Sequence, residues 1–200
     1  MTRPPDDPAE ERADAARNRA RLLAAAARLV ADRGAGNVTM DAVAHEAGVG
    51  KGTLFRRFGD RYGLLLALVD DVEADFHEAY TSGPPPLGPG APPGDRLTAF
   101  GCALIERVAD TTDLGPALGR QVPCDRRHTS PYGRHFHAHV SALLHEAGVR
   151  ADHDLLAHAM LAFVNLETLD YLREDPHVST ERLRNTWTDL VRRVTAPQPA

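Results

Sequence analysis

Two hundred residues, 42% hydrophobic and 26% charged, suit one compact unit or two small helical modules sharing a core. No apolar run reaches the ~18–20 residues a membrane-spanning helix needs, and two cysteines at no ligand spacing exclude a disulfide framework. The net charge of −5 argues against nucleic acid until its distribution is read: residues 17–61 carry nine basic and four acidic side chains, net +5, whereas residues 62–200 carry twelve basic and nineteen acidic, net −7. A basic segment on an acidic body can meet phosphate without coating every part of the chain in non-specific DNA.

Residues 1–16 are rich in Pro, Asp and Glu, which predicts a disordered acidic arm with no DNA contact. The arm lacks the apolar stretch of a signal peptide, and with Cys102 and Cys124 unframed the expected location is the cytoplasm. A helix is predicted from about 16–17 to Gly34, with Leu22, Leu23, Ala26, Leu29 and Val30 as its apolar stripe. Arg17, Arg19, Arg21 and Arg28 lie off that stripe, the usual place for a solvated face.

Thr39 is placed to cap a short helix carrying Met40, Val43, Ala44 and Ala47 on one face, with Asp41 near the positive end of the dipole. Gly48 ends it, Val49 plugs the corner, and a second helix follows over 51–58. This is a helix-turn-helix outline. At about 100° per residue, Leu54 and Phe58 share the inward face with Phe55 beside them, while Gly52, Thr53 and Arg56 face the other way and Arg57 lies on the flank. Lys51, the only lysine in the chain, sits in a first turn where the dipole disfavours a cation, which makes sense if an anion lies in front of it. Arg61, just after the capping Asp60, is in the same position.

The set Thr39, Ala44, Gly48-Val49, Lys51-Gly52-Thr53-Leu54, an aromatic residue at 55, Phe58, a basic residue at 61 and Leu64-Leu65 resembles the N-terminal DNA-binding domain of the TetR/AcrR family of bacterial transcriptional regulators. The resemblance implies an all-α protein of about nine helices: a three-helix head over 17–62 and an effector-binding and dimerisation body over 63–200. It implies base-edge roles for Lys51, Thr53 and Arg57, with Gly52 letting the backbone approach. Thr39, Phe55, Arg61 and Arg28 would approach the DNA backbone, and Arg56 could do either. Phe55 departs from the family, where Tyr is commonest and its hydroxyl bonds a phosphate; Phe keeps the packing and loses that bond.

A helix is predicted over 61–80, with Leu65, Leu68, Val69, Val72 and Phe76 on one face and Asp70, Asp71, Glu73 and Asp75 on the other. Residues 83–95, with six prolines and four glycines, read as a loop. Beyond it Leu97, Gly101, Leu104, Ile105 and Val108 mark a helix, a short one follows over 114–122, and residues 125–131 read as a polar loop. Phe136, Val140, Leu143 and Leu144 mark a helix over 132–147. A helix over 152–173 is apolar nearly all round at 159–166, and the last, capped by Ser179 or Thr180, carries Leu183, Trp187, Leu190, Val191 and Val194 in one stripe.

One core does not obviously cover both final helices. The resemblance implies that they pair with their mates in a homodimer through Leu166, Leu183, Trp187, Leu190 and Val191. It also implies a repressor released from a near-palindromic operator by a small molecule, of unknown identity, with Phe100, Leu104, Phe136, Met160, Phe163 and Tyr171 as lining residues. A regulator with no effector, or an activator, is the alternative. In HFHAH, His135 and His139 share a helical face at i, i+4 and His137 points away, but no third ligand is assured. No metal, cofactor or catalytic group is expected, and the chain does not read as an enzyme.

Overall fold

The computed structural model describes residues 8–110 and 114–196, with side chains for all of these except 8–14 and 72. Every regular element among them is helical. The chain divides into two compact units, a head ending at Leu68 and a body beginning at Val69.

In the head, α1 (Pro8–Arg33) is followed by a single 3-10 turn (Ala35–Asn37), then α2 (Met40–Glu46), α3 (Lys51–Phe58) and the start of α4 (Arg61–Val72). The first helix begins at Pro8, so the arm predicted as disordered over 1–16 is helical from residue 8; residues 1–7 lie outside the described residues. The segment opens with proline at a first helical position and continues in Ala, Glu and Arg, all strong helix formers. The stripe of α1 is buried as the pattern requires, with Leu22, Ala25 and Ala26 fully covered. Val43 of α2, Leu54 of α3, and Leu64 and Leu65 of α4 are buried to 3% exposure or less in the same unit.

In the body, α5 (Ala74–Thr81) follows α4 after one interrupting residue, so the helix predicted over 61–80 is two. The interruption is Glu73, whose ψ opens to −9° and whose carboxylate is turned inward rather than to solvent. Val72, placed on that helix's apolar face by its spacing, lies outside the described side chains. Helix α6 (Pro93–Ala109) starts inside the predicted loop because Pro93 and Gly94 serve as its first turn, where proline lacks nothing the helix needs. Then come α7 (Leu114–Gly119), α8 (Cys124–His128), α9 (Pro131–Glu146), α10 (His153–Phe163), α11 (Leu166–Arg173) and α12 (Thr180–Thr195).

Two further boundaries differ from those expected. Residues 124–128 are a helix rather than a polar loop, because Arg127 is buried and its Nη1 donates to the Gly119 and Val122 carbonyls, at 2.8 and 2.5 Å. The helix predicted over 152–173 breaks at Val164–Asn165, where the Asn165 side chain caps α11 by accepting from the Thr168 amide at 2.7 Å. The break lets α10 and α11 turn separate faces into the core.

The body core covers the apolar stripe of the final helix. Helix α12 lays its stripe on α6, where Leu183, Trp187 and Val191 are 0–3% exposed within a single chain. Trp187 donates its indole Nε1 hydrogen to the Leu97 carbonyl at 3.1 Å. These three residues, expected at a dimer seam, are therefore protomer core and have almost no surface to give a partner. Leu166 and Leu190 are half-buried.

An aromatic group fills the other side of α6. Phe76 stacks on Phe100 at 5.7 Å, Tyr80 meets Phe100 edge-on at 5.1 Å, and the His139 ring lies 4.5 Å from Tyr80 and 4.9 Å from Phe100. Burial there, helped by the nearby positive charge of Arg96 and by His77, holds His139 down to about 4. The unfolded chain binds its proton near the ordinary value of about 6.5, so stability is complete above that pH and declines as pH falls toward 4. With the ring half-buried, the loss is about 1–2 kcal/mol between pH 7 and pH 4. Urea unfolding at the two pH values should show it, and His139→Leu should remove that part of the pH dependence.

Candidate nucleic-acid interface and body cavity

The turn between α2 and α3 is built as its residues demand. Thr39 accepts from the Ala42 amide at 3.2 Å, and Gly48, at φ 64°, lets Val49 N–H reach back to the Ala44 carbonyl at 3.0 Å. Leu54 is fully buried and anchors α3, and Phe58 is half-buried beside it. Lys51, Gly52, Arg56 and Arg57 are exposed, Thr53 is half-buried, and a Cβ added at Gly52 would meet nothing within 4 Å. The predicted division of α3 into an anchoring face and an outward face is thus present.

The cations are not equally placed. Lys51 does have an anion in front of it, but it is Asp41 of α2, Nζ to Oδ2 2.5 Å, with both side chains more than 60% exposed. Such an exposed pair is worth at most about 1 kcal/mol and exchanges readily. Arg57 turns back, its Nη2 donating to the Ala15 carbonyl of α1 at 3.2 Å. Arg61 donates from Nε to the Val38 carbonyl and from Nη2 to the Ala35 carbonyl, both at 2.8 Å, so it binds the α1–α2 connection to the start of α4. Arg28 pairs with Glu46 of α2 at 3.1 Å. Arg21, expected on a solvated face, caps the end of α2 by donating to the Ala47 carbonyl at 3.0 Å. No spacing rule reveals these partners, because they come from elements distant in sequence.

Phe55 is 45% exposed, so it does not keep the packing expected of it beside Leu54. Thr39 is exposed and its hydroxyl already serves the cap. Tyr62, which no sequence motif marks, presents a 37% exposed phenol in the first turn of α4.

The body holds a cavity of about 120 Å³ among α6, α7, α8, α9, α10 and α11. Leu104, Val108, Phe136, Leu161, Val164 and Leu166 give it an apolar wall. The rest is polar: Glu73 with Arg107, Arg127 with Glu167, and Tyr132, whose hydroxyl burial pushes its pKa upward. Arg107 donates to Glu73 through two nitrogens, at 2.5 and 2.9 Å, and its guanidinium lies 4.7 Å over the Phe76 ring. Of the residues predicted to line a site, Leu104 and Phe136 do so. Phe100 and Met160 are closed into the core, Phe163 lies against Trp187, and Tyr171 is 72% exposed on the outside of α11. The charged wall of the cavity is not foreseen by the sequence pattern, because Glu73 and Arg127 fall where it predicts solvent.

Residues 22–68 match the family model described as bacterial regulatory proteins, tetR family. An HTH-type transcriptional regulator of Staphylococcus aureus is 31% identical over 80 residues, which cover 34% of this chain and 43% of that protein. The chain therefore matches less than half the length of this curated relative. Among solved structures, one described as a TetR-family transcriptional regulator from Rhodococcus sp. is 25% identical with a TM-score of 0.58, covering 90% of this chain and 98% of that one. RolR in complex with resorcinol has the same fold at 18% identity and a TM-score of 0.66, over 92% and 96% of the two chains. FadR from Bacillus subtilis in complex with stearoyl-CoA does too, at 17% and 0.61, over 90% and 99%. The head over residues 22–68, with its glycine-turned helix pair, thus matches the tetR family of bacterial regulatory proteins, and the all-helical chain as a whole is similar to a solved TetR-family regulator.

Proposed function

We propose that the chain is a DNA-binding transcriptional regulator that acts as a homodimeric repressor and leaves its operator when a small molecule occupies the body. The observation that carries the DNA reading is the outward face of α3, where Gly52, Thr53 and Arg56 lie together, with exposed Lys51 in the first turn, on a helix anchored by buried Leu54. Two such helices would enter successive major grooves about one helical turn apart. Arg56 takes the leading role among the arginines, since Arg57 and Arg61 are engaged with backbone carbonyls of the head. Lys51 would exchange Asp41 for a phosphate or a guanine edge, releasing counterions as it does so.

Fragments selected from the source genome supply the operator for a binding titration. Lys51→Ala and Arg56→Ala should each weaken binding about 10- to 100-fold and lower the salt slope by about 1 for each phosphate that the side chain neutralises. Unchanged affinity and unchanged salt slope in both variants would sink the assignment.

The cavity supports the effector part of the reading, for an apolar wall facing two ion pairs and a phenol suits a small amphipathic molecule with hydroxyl or carbonyl groups. Its volume is close to that which holds a single benzene ring, about 150 Å³, so a ligand of resorcinol's size fits with little opening and a long acyl chain does not. For release, the ligand must bind the DNA-incompetent state more tightly, since equal affinity shifts nothing. The dimer reading keeps the last helices as the seam, using Leu190 and the exposed Tyr171 in place of the residues closed into the core. Sedimentation at micromolar concentration tests it, and a monomer there overturns it.

A further inference from the structure

Among the described residues one group of three side chains has the composition and convergence of a metal site: His137 of α9 with Asp154 and His158 of α10. The geometry points to a divalent transition-metal site of the zinc class at this place, two imidazoles and a carboxylate holding the ion and water completing its shell. One ligand atom from each residue falls within 4.8 Å of the others. His137 Nε2 is 3.4 Å from Asp154 Oδ1, which matches the edge of about 3.3 Å between two ligands bonded at about 2.0–2.1 Å around a tetrahedral ion, and binding the ion would replace its 3.1 Å contact with the Asp154 backbone carbonyl. The His137 and His158 rings lie 4.1 Å apart and tilted by 33°.

The helices that carry the site are held together by buried side chains, while two of its three ligands stand at the surface. Helices α9 and α10 are joined through the Gly148 turn and packed together by Val140, Leu143 and Leu144 on one side and Ala157 and Met160 on the other, all buried. Asp154 and His158 are exposed and lie four residues apart on one helical face, so about 1.5 Å of side-chain movement closes the set without moving the backbone. A neutral-imidazole and carboxylate set favours zinc, cobalt, nickel or copper over magnesium or calcium. The surrounding body, net negative over residues 62–200, attracts a cation. The bound ion would tie the start of α10 to the middle of α9.

The chain, untagged and stripped of metal, should bind one zinc ion in a calorimetric titration, and cobalt in its place should give the visible absorption of a tetrahedral site. His158→Ala and Asp154→Asn, both at exposed positions, should weaken zinc at least tenfold, and His137→Ala should do the same. His135→Ala, whose ring lies instead against His77 at 4.8 Å, should leave binding unchanged. Zinc should raise the melting temperature of the wild type and not of His158→Ala. No binding at micromolar zinc, wild-type affinity in His158→Ala and Asp154→Asn, or an equal loss in His135→Ala would each overturn the site.

Discussion

Arg107→Ala is expected to destabilise the body by about 3–5 kcal/mol, the cost of taking this cation away from a buried carboxylate. Glu73 is 6% exposed, and two Arg107 nitrogens supply its short hydrogen bonds. Removing the guanidinium also takes away the cation over the Phe76 ring. The cost comes from keeping the carboxylate buried without this cation rather than from the loss of attraction, and this distinction can be measured. Glu73→Leu combined with Arg107→Met should be far less destabilising than Arg107→Ala alone, because both charges of the pair are removed together. Urea unfolding of the two variants at neutral pH decides it; equal losses would show that packing, not charge, governs the site. Since this pair lines the cavity, the double variant should also change which small molecules raise the melting temperature.

Gly101→Ala is the second large effect, although it adds only one methyl group. A Cβ on Gly101 would stand 1.9 Å from Trp187 Cε2 and 2.1 Å from Nε1, well inside any allowed contact. The indole has no room to retreat, being fully buried and hydrogen-bonded to the Leu97 carbonyl on the same helix that carries Gly101. Overpacking of this kind costs about 1–3 kcal/mol, and losing the indole hydrogen bond adds about 1 more. Trp187→Leu alone leaves a cavity, but in its presence Gly101→Ala should cost little or nothing. A double-mutant cycle by thermal or urea unfolding reads that coupling directly. Additive losses would mean that the two residues do not meet as described.

Much of the head is local in origin, which is why its sequence is readable. Thr39 and Gly48 act on amides three to five residues away, and Leu54 is buried because it is the apolar residue facing inward on a two-turn helix. The outward face of α3 follows from the same rotation. The partners of its cations do not: Asp41 for Lys51, Ala15 for Arg57, and the Val38 and Ala35 carbonyls for Arg61 come from other elements. For Phe55 the residue type suggests burial, and only the neighbours actually present leave it 45% exposed.

The body is legible in outline and departs from its pattern wherever a charge is buried. Glu73 and Arg127 fit solvated positions by every local rule, yet one pairs with Arg107 across 34 residues and the other with Glu167 across 40. Periodicity assigns charges to water because water is their cheapest partner; it carries no knowledge of a cation brought from another helix. For the same reason the stripe that carries Trp187 does not say what covers it: the resemblance implies a dimer seam, and the cover is Gly101 of α6. By itself, then, the sequence determined the helical class, the capped helix-turn-helix and the basic character of 17–61, because caps, glycine turns and helical faces act within a few residues. Only the tertiary structure decided which cations face outward, where the cavity lies, and that His137 rather than His135 or His139 meets a carboxylate, because those depend on which helices pack together.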